Sequence, residues 1–338
     1  MFKKIWVGTI TILLMLIIWQ WSFILYGINQ AKGQIEVIRN AKPIDTFLED
    51  PSFPDSLKQK LTLAKEVRIF AMNDLKLNQS DNYTTMYDQK GKTILWNLSA
   101  CEPYELKAYT WYYPFLGSMP YKGFFDLEKA KLEKEKLEQL GYDARIRPVG
   151  GWSTLGILND PILSDMLNRS DGALAEVIIH ELTHATIFVK NEIEFNENLA
   201  SFIGEQGAVI YLKQKHGEDH LILQEYYEES LDGKRLTAHV LKGAQILDSL
   251  YSHMAEQPDA IKKTLKEKTI NEIVESIDTV SFFNQRYYGL FEKTKPNNAY
   301  FMSFMRYHSQ EDTLTSIYNQ YDSDLMLMIE NLKELYGK

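Results

Sequence analysis

The stretch VIIHELTHATIF (177–188) decides how this chain is read. Apolar residues recur through it at helical spacing, and residues four apart on an α-helix share one face. His180 and His184 therefore project together, with Glu181 directly after the first, in an H-E-x-x-H pattern. Imidazoles in an apolar helix need partners for both ring nitrogens, and a shared metal ion with outer acceptors supplies them together. The plain alternative is a core helix that carries two satisfied histidines.

A catalytic zinc site takes three protein ligands and leaves a position open, so the two histidines need a third partner. EFNENLASFIGEQGA (194–208) offers one. Glu197 follows His184 after twelve intervening residues, near the start of the next helical run, where an antiparallel return brings its carboxylate beside the histidines. Its competitors are Glu194, in the expected turn, and Glu205, two turns further on and better placed as an outer acceptor. The expected set is His180, His184 and Glu197 around Zn2+. Glu181 lies one residue off the histidine face, where a carboxylate can take a proton from water and deliver it to a leaving amine.

Outward from this helix, everything after about residue 172 reads as helical. Before it, KTILWNLSA (92–100) and LKAYTWYYPFL (106–116) are rich in aromatic and β-branched residues and read as strands. Residues 126–158 read as a capped helix ending at Gly141, followed by two short strands. Residues 31–76 read as helix broken at Pro43, Pro51 and Pro54. The expected fold class is α+β, with a small mixed β-sheet followed by a mainly helical half, as one domain over 31–338. Between Lys4 and Lys32 no residue is charged, and residues 5–28 are long enough to cross about 30 Å of hydrocarbon. With Trp19, Trp21 and Tyr26 at its far end, this run predicts an uncleaved single-pass transmembrane anchor over 1–30. Lys3 and Lys4 on the cytoplasmic side place the rest outside the cytoplasm.

The 338 residues, 45% apolar and 12% aromatic, can bury a large core. A net charge of −9, from 37 basic and 46 acidic residues without a long basic block, excludes nucleic acid as a partner. The lone Cys101 cannot form an internal disulfide and is expected to be a buried small hydrophobe.

HELTH followed by NENLAS resembles the thermolysin-type gluzincin pattern, with a shorter spacing to the glutamate. Ser201 stands where that pattern carries an aspartate supporting a histidine ligand, so the support is expected to come from elsewhere. KPIDTFLEDP (42–51), WSTLGILNDPIL (152–163), IIHELTHATIFVK (178–190), EFNENLAS (194–201) and KPNNAYF (295–301) are together similar to the bacterial family called "putative aminopeptidases", over most of the chain. That resemblance implies His180, His184 and Glu197 as zinc ligands, Glu181 as acid/base, and a secreted or membrane-attached peptidase acting on peptide substrates. Gluzincins align the peptide on an extended edge strand, for which GWSTLGI (151–157), with Ser153, Thr154 and Leu155, is the candidate. Tyr287, Tyr288, Tyr307 and His308 are candidate oxyanion donors, and Asn297 and Asn298 read as helix caps. The function expected is a membrane-anchored zinc metallopeptidase that hydrolyses peptide bonds, trimming peptides from the N-terminus as an aminopeptidase. The alternative is a non-catalytic zinc-binding ectodomain with a sensory or interaction role, against which the presence of Glu181 beside the histidines argues.

Overall fold

A computed structural model describes residues 21–113, 117–150, 158–190, 192–292, 294–308 and 311–337. The first helices are α1 (Trp21–Asn40), α2 (Ile44–Glu49) and α3 (Asp55–Asn73). Pro43 and Pro54 stand directly before α2 and α3, with φ of −51° and −58° that suit a helix start. In α3, Leu61, Ala64, Val67 and Ala71 form a buried stripe at helical spacing. Helix α4 (Leu127–Gln139) starts where the Asp126 carboxylate accepts the backbone N–H groups of Glu128 and Lys129. It stops before Gly141, whose φ of +94° suits only a residue without a side chain. The remainder is helical: α5 (Asp171–Thr186), α6 (Ile193–His216), α7 (Leu221–His253), α8 (Asp259–Glu275), α9 (Asn298–His308), α10 (Glu311–Gln320) and α11 (Leu325–Tyr336).

Among the described residues the strands form three small sheets. Strands β1 (Lys42–Pro43), β2 (Thr85–Tyr87) and β8 (Ile162–Leu163) pair in the order β1-β2-β8, the first pair antiparallel and the second parallel. Strands β3 (Trp96–Cys101), β6 (Lys122–Phe124) and β7 (Asp143–Pro148) form an antiparallel sheet with β3 central. Strands β4 (Trp111–Tyr113) and β5 (Gly117–Met119) pair antiparallel. One apolar core joins α3, α5, α6 and α11 through Leu61, Ile178, Ile203 and Met328. A second joins α7, α8 and α9 through Leu247, Ile273 and Phe301, and a third closes α4 onto the β6-β3-β7 sheet through Leu98, Ala130 and Leu137.

Two expectations are corrected here. The α+β class with one small mixed sheet gives way to a mostly helical structure (63%) with small sheets. Aromatic and β-branched runs signal extended backbone, but the strands they produce are two to six residues long, and residues 106–110 reach the sheet only through a bridge between Cys101 and Ala108. The expected transmembrane helix is not found either: no helix among the described residues is long and apolar enough to cross a membrane. Residues 1–20 lie outside the described residues, and the remainder of the apolar run belongs to α1, which packs on protein. Tyr26 donates its hydroxyl to the Gly123 carbonyl at 2.9 Å, and its ring meets Phe124 edge-on at 5.8 Å. The expected edge strand 151–157, with Ser153, Thr154 and Leu155, also lies outside the described residues.

Candidate metal centre

Helix α5 begins with a cap: the Ser170 hydroxyl accepts the Ala173 N–H at 3.1 Å. Leu174, Ala175, Ile178, Ile179 and Leu182 bury the apolar face against α3 and α6. The turn into α6 is held by one side chain. Asn196, buried, accepts the Val189 N–H through Oδ1 and donates from Nδ2 to the Val189 carbonyl, both at 2.8 Å. That pair of hydrogen bonds sets where α6 starts, and Glu197 is the next residue. Further along, a Cβ on Gly204 would stand 2.9 Å from the Glu176 carbonyl oxygen and 3.3 Å from the His180 Cβ. The two helices therefore pack backbone to backbone, a separation only glycine allows at this position.

This packing brings His180, His184 and Glu197 together. Each histidine Nε2 lies 3.7 Å from Glu197 Oε2, and one ligand atom from each residue lies within 4.8 Å of the others. The imidazole rings stand edge-on at 4.8 Å, 87° apart. Separations of 3.7 Å are too long for hydrogen bonds, yet ligand atoms bonded at about 2.0–2.2 Å to one tetrahedral ion stand roughly 3.4 Å apart. Two imidazoles and a carboxylate, partly or wholly buried and converging in this way, fit a divalent metal ion.

The electrostatics follow from the same geometry. Burial alone would raise the Glu197 carboxyl, but the two imidazoles facing it hold it well below the usual carboxylate range. Glu181 behaves oppositely: burial pushes its carboxyl up to about 7, with His180 opposing the rise and Glu197 and Asp160 adding to it.

Other candidates fall elsewhere. Glu194 sits in the first turn of α6 and not in the connecting turn. Glu205 accepts from Ser230 at 2.7 Å and Lys234 at 2.6 Å, and so is engaged with α7. Ser201, from which no support was expected, has its hydroxyl 3.4 Å from His180 Nδ1. Tyr287 stacks on Phe282 in the second core, and the Tyr288 hydroxyl accepts the Phe282 N–H. The side chains of Tyr307 and His308 lie outside the described residues. Asn297 accepts the Tyr300 N–H at 3.3 Å, as a cap does, whereas Asn298 is fully buried and ties α9 to Glu102, Pro103 and Tyr251.

Sequence reasoning missed a group that borders Glu181. Asn82 and Tyr83 grip Asp160: Asn82 Oδ1 accepts the Asp160 N–H, and the Tyr83 N–H donates to the Asp160 carbonyl at 2.7 Å. Tyr83 is buried with a φ of +61°, a left-handed conformation that a bulky residue adopts only when its surroundings impose it. Burial and the nearby charges of Glu181 and Asp160 push its phenol well above the usual value. The one local signal was Asn159-Asp160-Pro161, legible as a turn, and its partner lies nearly eighty residues upstream. A cavity of about 370 Å³ also opens beside the centre, bounded by Asn198, Ser201, Glu176, Tyr226, Phe304 and Leu314.

A family model described as "Putative aminopeptidase" matches residues 25–338 of the chain. No curated protein and no solved structure matches.

Proposed function

The chain belongs to the "Putative aminopeptidase" family, and from that premise we propose that it is a zinc-dependent metallopeptidase that removes residues from the N-terminus of peptides. The family name points to peptidase activity. The observation that carries the metal-dependent reading is the convergence of His180, His184 and Glu197, from two successive helices, on one point. A zinc ion held by these residues would acidify its water and polarise the scissile carbonyl.

The protein's own part is positional and protonic. His180 and His184 present their Nε2 atoms from one helix face, and Glu197 closes the third side from α6. Glu181, buried next to the ligands, is the general base that takes a proton from the attacking water and returns it to the leaving amine. Its environment also keeps bulk water away from that transfer. Glu181 is not one of the converging ligand atoms, so its carboxylate is left for this role.

Elemental analysis of the purified protein tests the reading. One zinc per chain is expected in the wild type and in Glu181→Gln, and none in Glu197→Ala. Glu181→Gln should retain the metal and lose peptide hydrolysis by about 100-fold or more. Paired peptides with free and acetylated N-termini separate trimming from internal cleavage, since only the free peptides should turn over. Wild-type protein that takes up no zinc after reconstitution would sink the proposal.

A further inference from the structure

We infer that Ser201 is a positioning residue of the metal centre: its hydroxyl accepts the Nδ1–H of His180 and thereby holds that ring with the Nε2 lone pair facing Glu197. This rests on the metallopeptidase reading and deepens it. A neutral imidazole carries one N–H and one lone pair, and only the lone-pair nitrogen can bind a metal. In His180 the nitrogen facing the cluster is Nε2, 3.7 Å from Glu197 Oε2. The proton must then sit on Nδ1, and the group found at Nδ1 is the Ser201 hydroxyl at 3.4 Å. A ligating histidine whose second nitrogen is held in this way is fixed in both tautomer and orientation, and such outer contacts are worth about 10–100-fold in metal affinity.

The surroundings explain why a hydroxyl suits this position. Glu197 and Glu205 lie one helical turn to either side of Ser201 on α6, and Glu176 of α5 lines the same cavity. A carboxylate at 201 would add a further negative charge among them, whereas a hydroxyl accepts the hydrogen bond without adding charge. Nor does the hydroxyl hold the helices together. Gly204 sets their separation by direct packing against Glu176 and His180, so removing the Ser201 hydroxyl leaves the scaffold in place. Ser201 also borders the cavity, which leaves room for one added methyl group.

The test compares zinc affinity across full-length wild type, S201A, S201T and S201V, by competition with a chromophoric chelator, and follows the absorption bands of the cobalt-substituted forms. S201T and S201V have the same shape, so they differ only in the hydroxyl. S201A and S201V should bind zinc about 10-fold more weakly than wild type and show altered cobalt bands, while S201T stays close to wild type. The melting temperatures of metal-free S201A and S201V should stay close to that of wild type, which separates ligand positioning from loss of fold. Wild-type affinity and cobalt bands in both S201A and S201V would overturn the inference while leaving the metallopeptidase reading intact. Absence of zinc binding in the wild type itself would overturn both.

Discussion

Asn196 precedes a proposed ligand by one residue and acts on the backbone. Its buried amide bonds both the N–H and the carbonyl of Val189 in the partly exposed turn before α6. Asn196→Ala would leave both groups without these bonds and should lower stability by about 1–3 kcal/mol, measured by urea unfolding of the metal-free protein. Asn196→Asp keeps the acceptor and loses the donor, so its loss should fall between alanine and wild type. Zinc affinity should decline in the same order, because the start of α6 determines where Glu197 points. An alanine variant with wild-type stability would mean that the turn holds its shape without the amide. Cys101 illustrates a residue of the opposite kind. Burial pushes its thiol up to about 12, and its Sγ–H donates to the Glu105 carbonyl at 3.4 Å, so it fits the small-hydrophobe role read from composition.

Between elements, the α5–α6 contact and the α4–sheet contact make separate predictions. Gly204→Ala would drive a methyl group into the Glu176 carbonyl oxygen, an atom that cannot rotate away. The helices must separate locally, at about 1–3 kcal/mol, and zinc affinity should fall with stability. A variant less stable but unchanged in zinc affinity would show that the ligand geometry tolerates the displacement. On α4, Glu133 accepts from Lys122 at 2.8 Å and from Trp111 at 3.4 Å, which ties the helix to β6 and β4. Burial alone would raise its carboxyl, but these bonds hold it below the ordinary value. A carboxyl depressed in the folded state contributes stability above its unfolded pKa and loses it as the pH falls through the folded value. Glu133→Gln should therefore cost roughly 1 kcal/mol near neutral pH, with a gap to wild type that narrows at an acidic pH below the ordinary glutamate range. Equal gaps in urea titrations at both pH values would show that the carboxylate charge has no part in the contact.

At the scale of the molecule, the proposed ion joins α5 to α6 within the largest apolar core. A ligand bound only by the folded state raises stability by mass action, by about 4 kcal/mol at a thousandfold excess over its dissociation constant. Zinc should raise the melting temperature of wild type and a chelator should reverse the rise, with Glu197→Ala unresponsive to either. How much of this was legible beforehand depended on sequence distance. The helices α3, α4, α5 and α6 follow from periodicity, caps and breakers, because each of those signals acts within a few residues. The proximity of Glu197 to the histidines was legible because only twelve residues separate it from His184. The grip of Asn82 and Tyr83 on Asp160, the division of the strands among three sheets, and the packing of the end of the apolar run onto protein all join distant segments, and no local pattern encodes them. The same contrast has a kinetic side. Closing a loop of about ten residues takes ~10–100 ns, whereas the bond from Asn298 to Glu102 must join positions 196 apart. The hairpin that carries all three proposed ligands thus has far less chain entropy to overcome than such a contact, and it can assemble while these distant segments are still searching for each other.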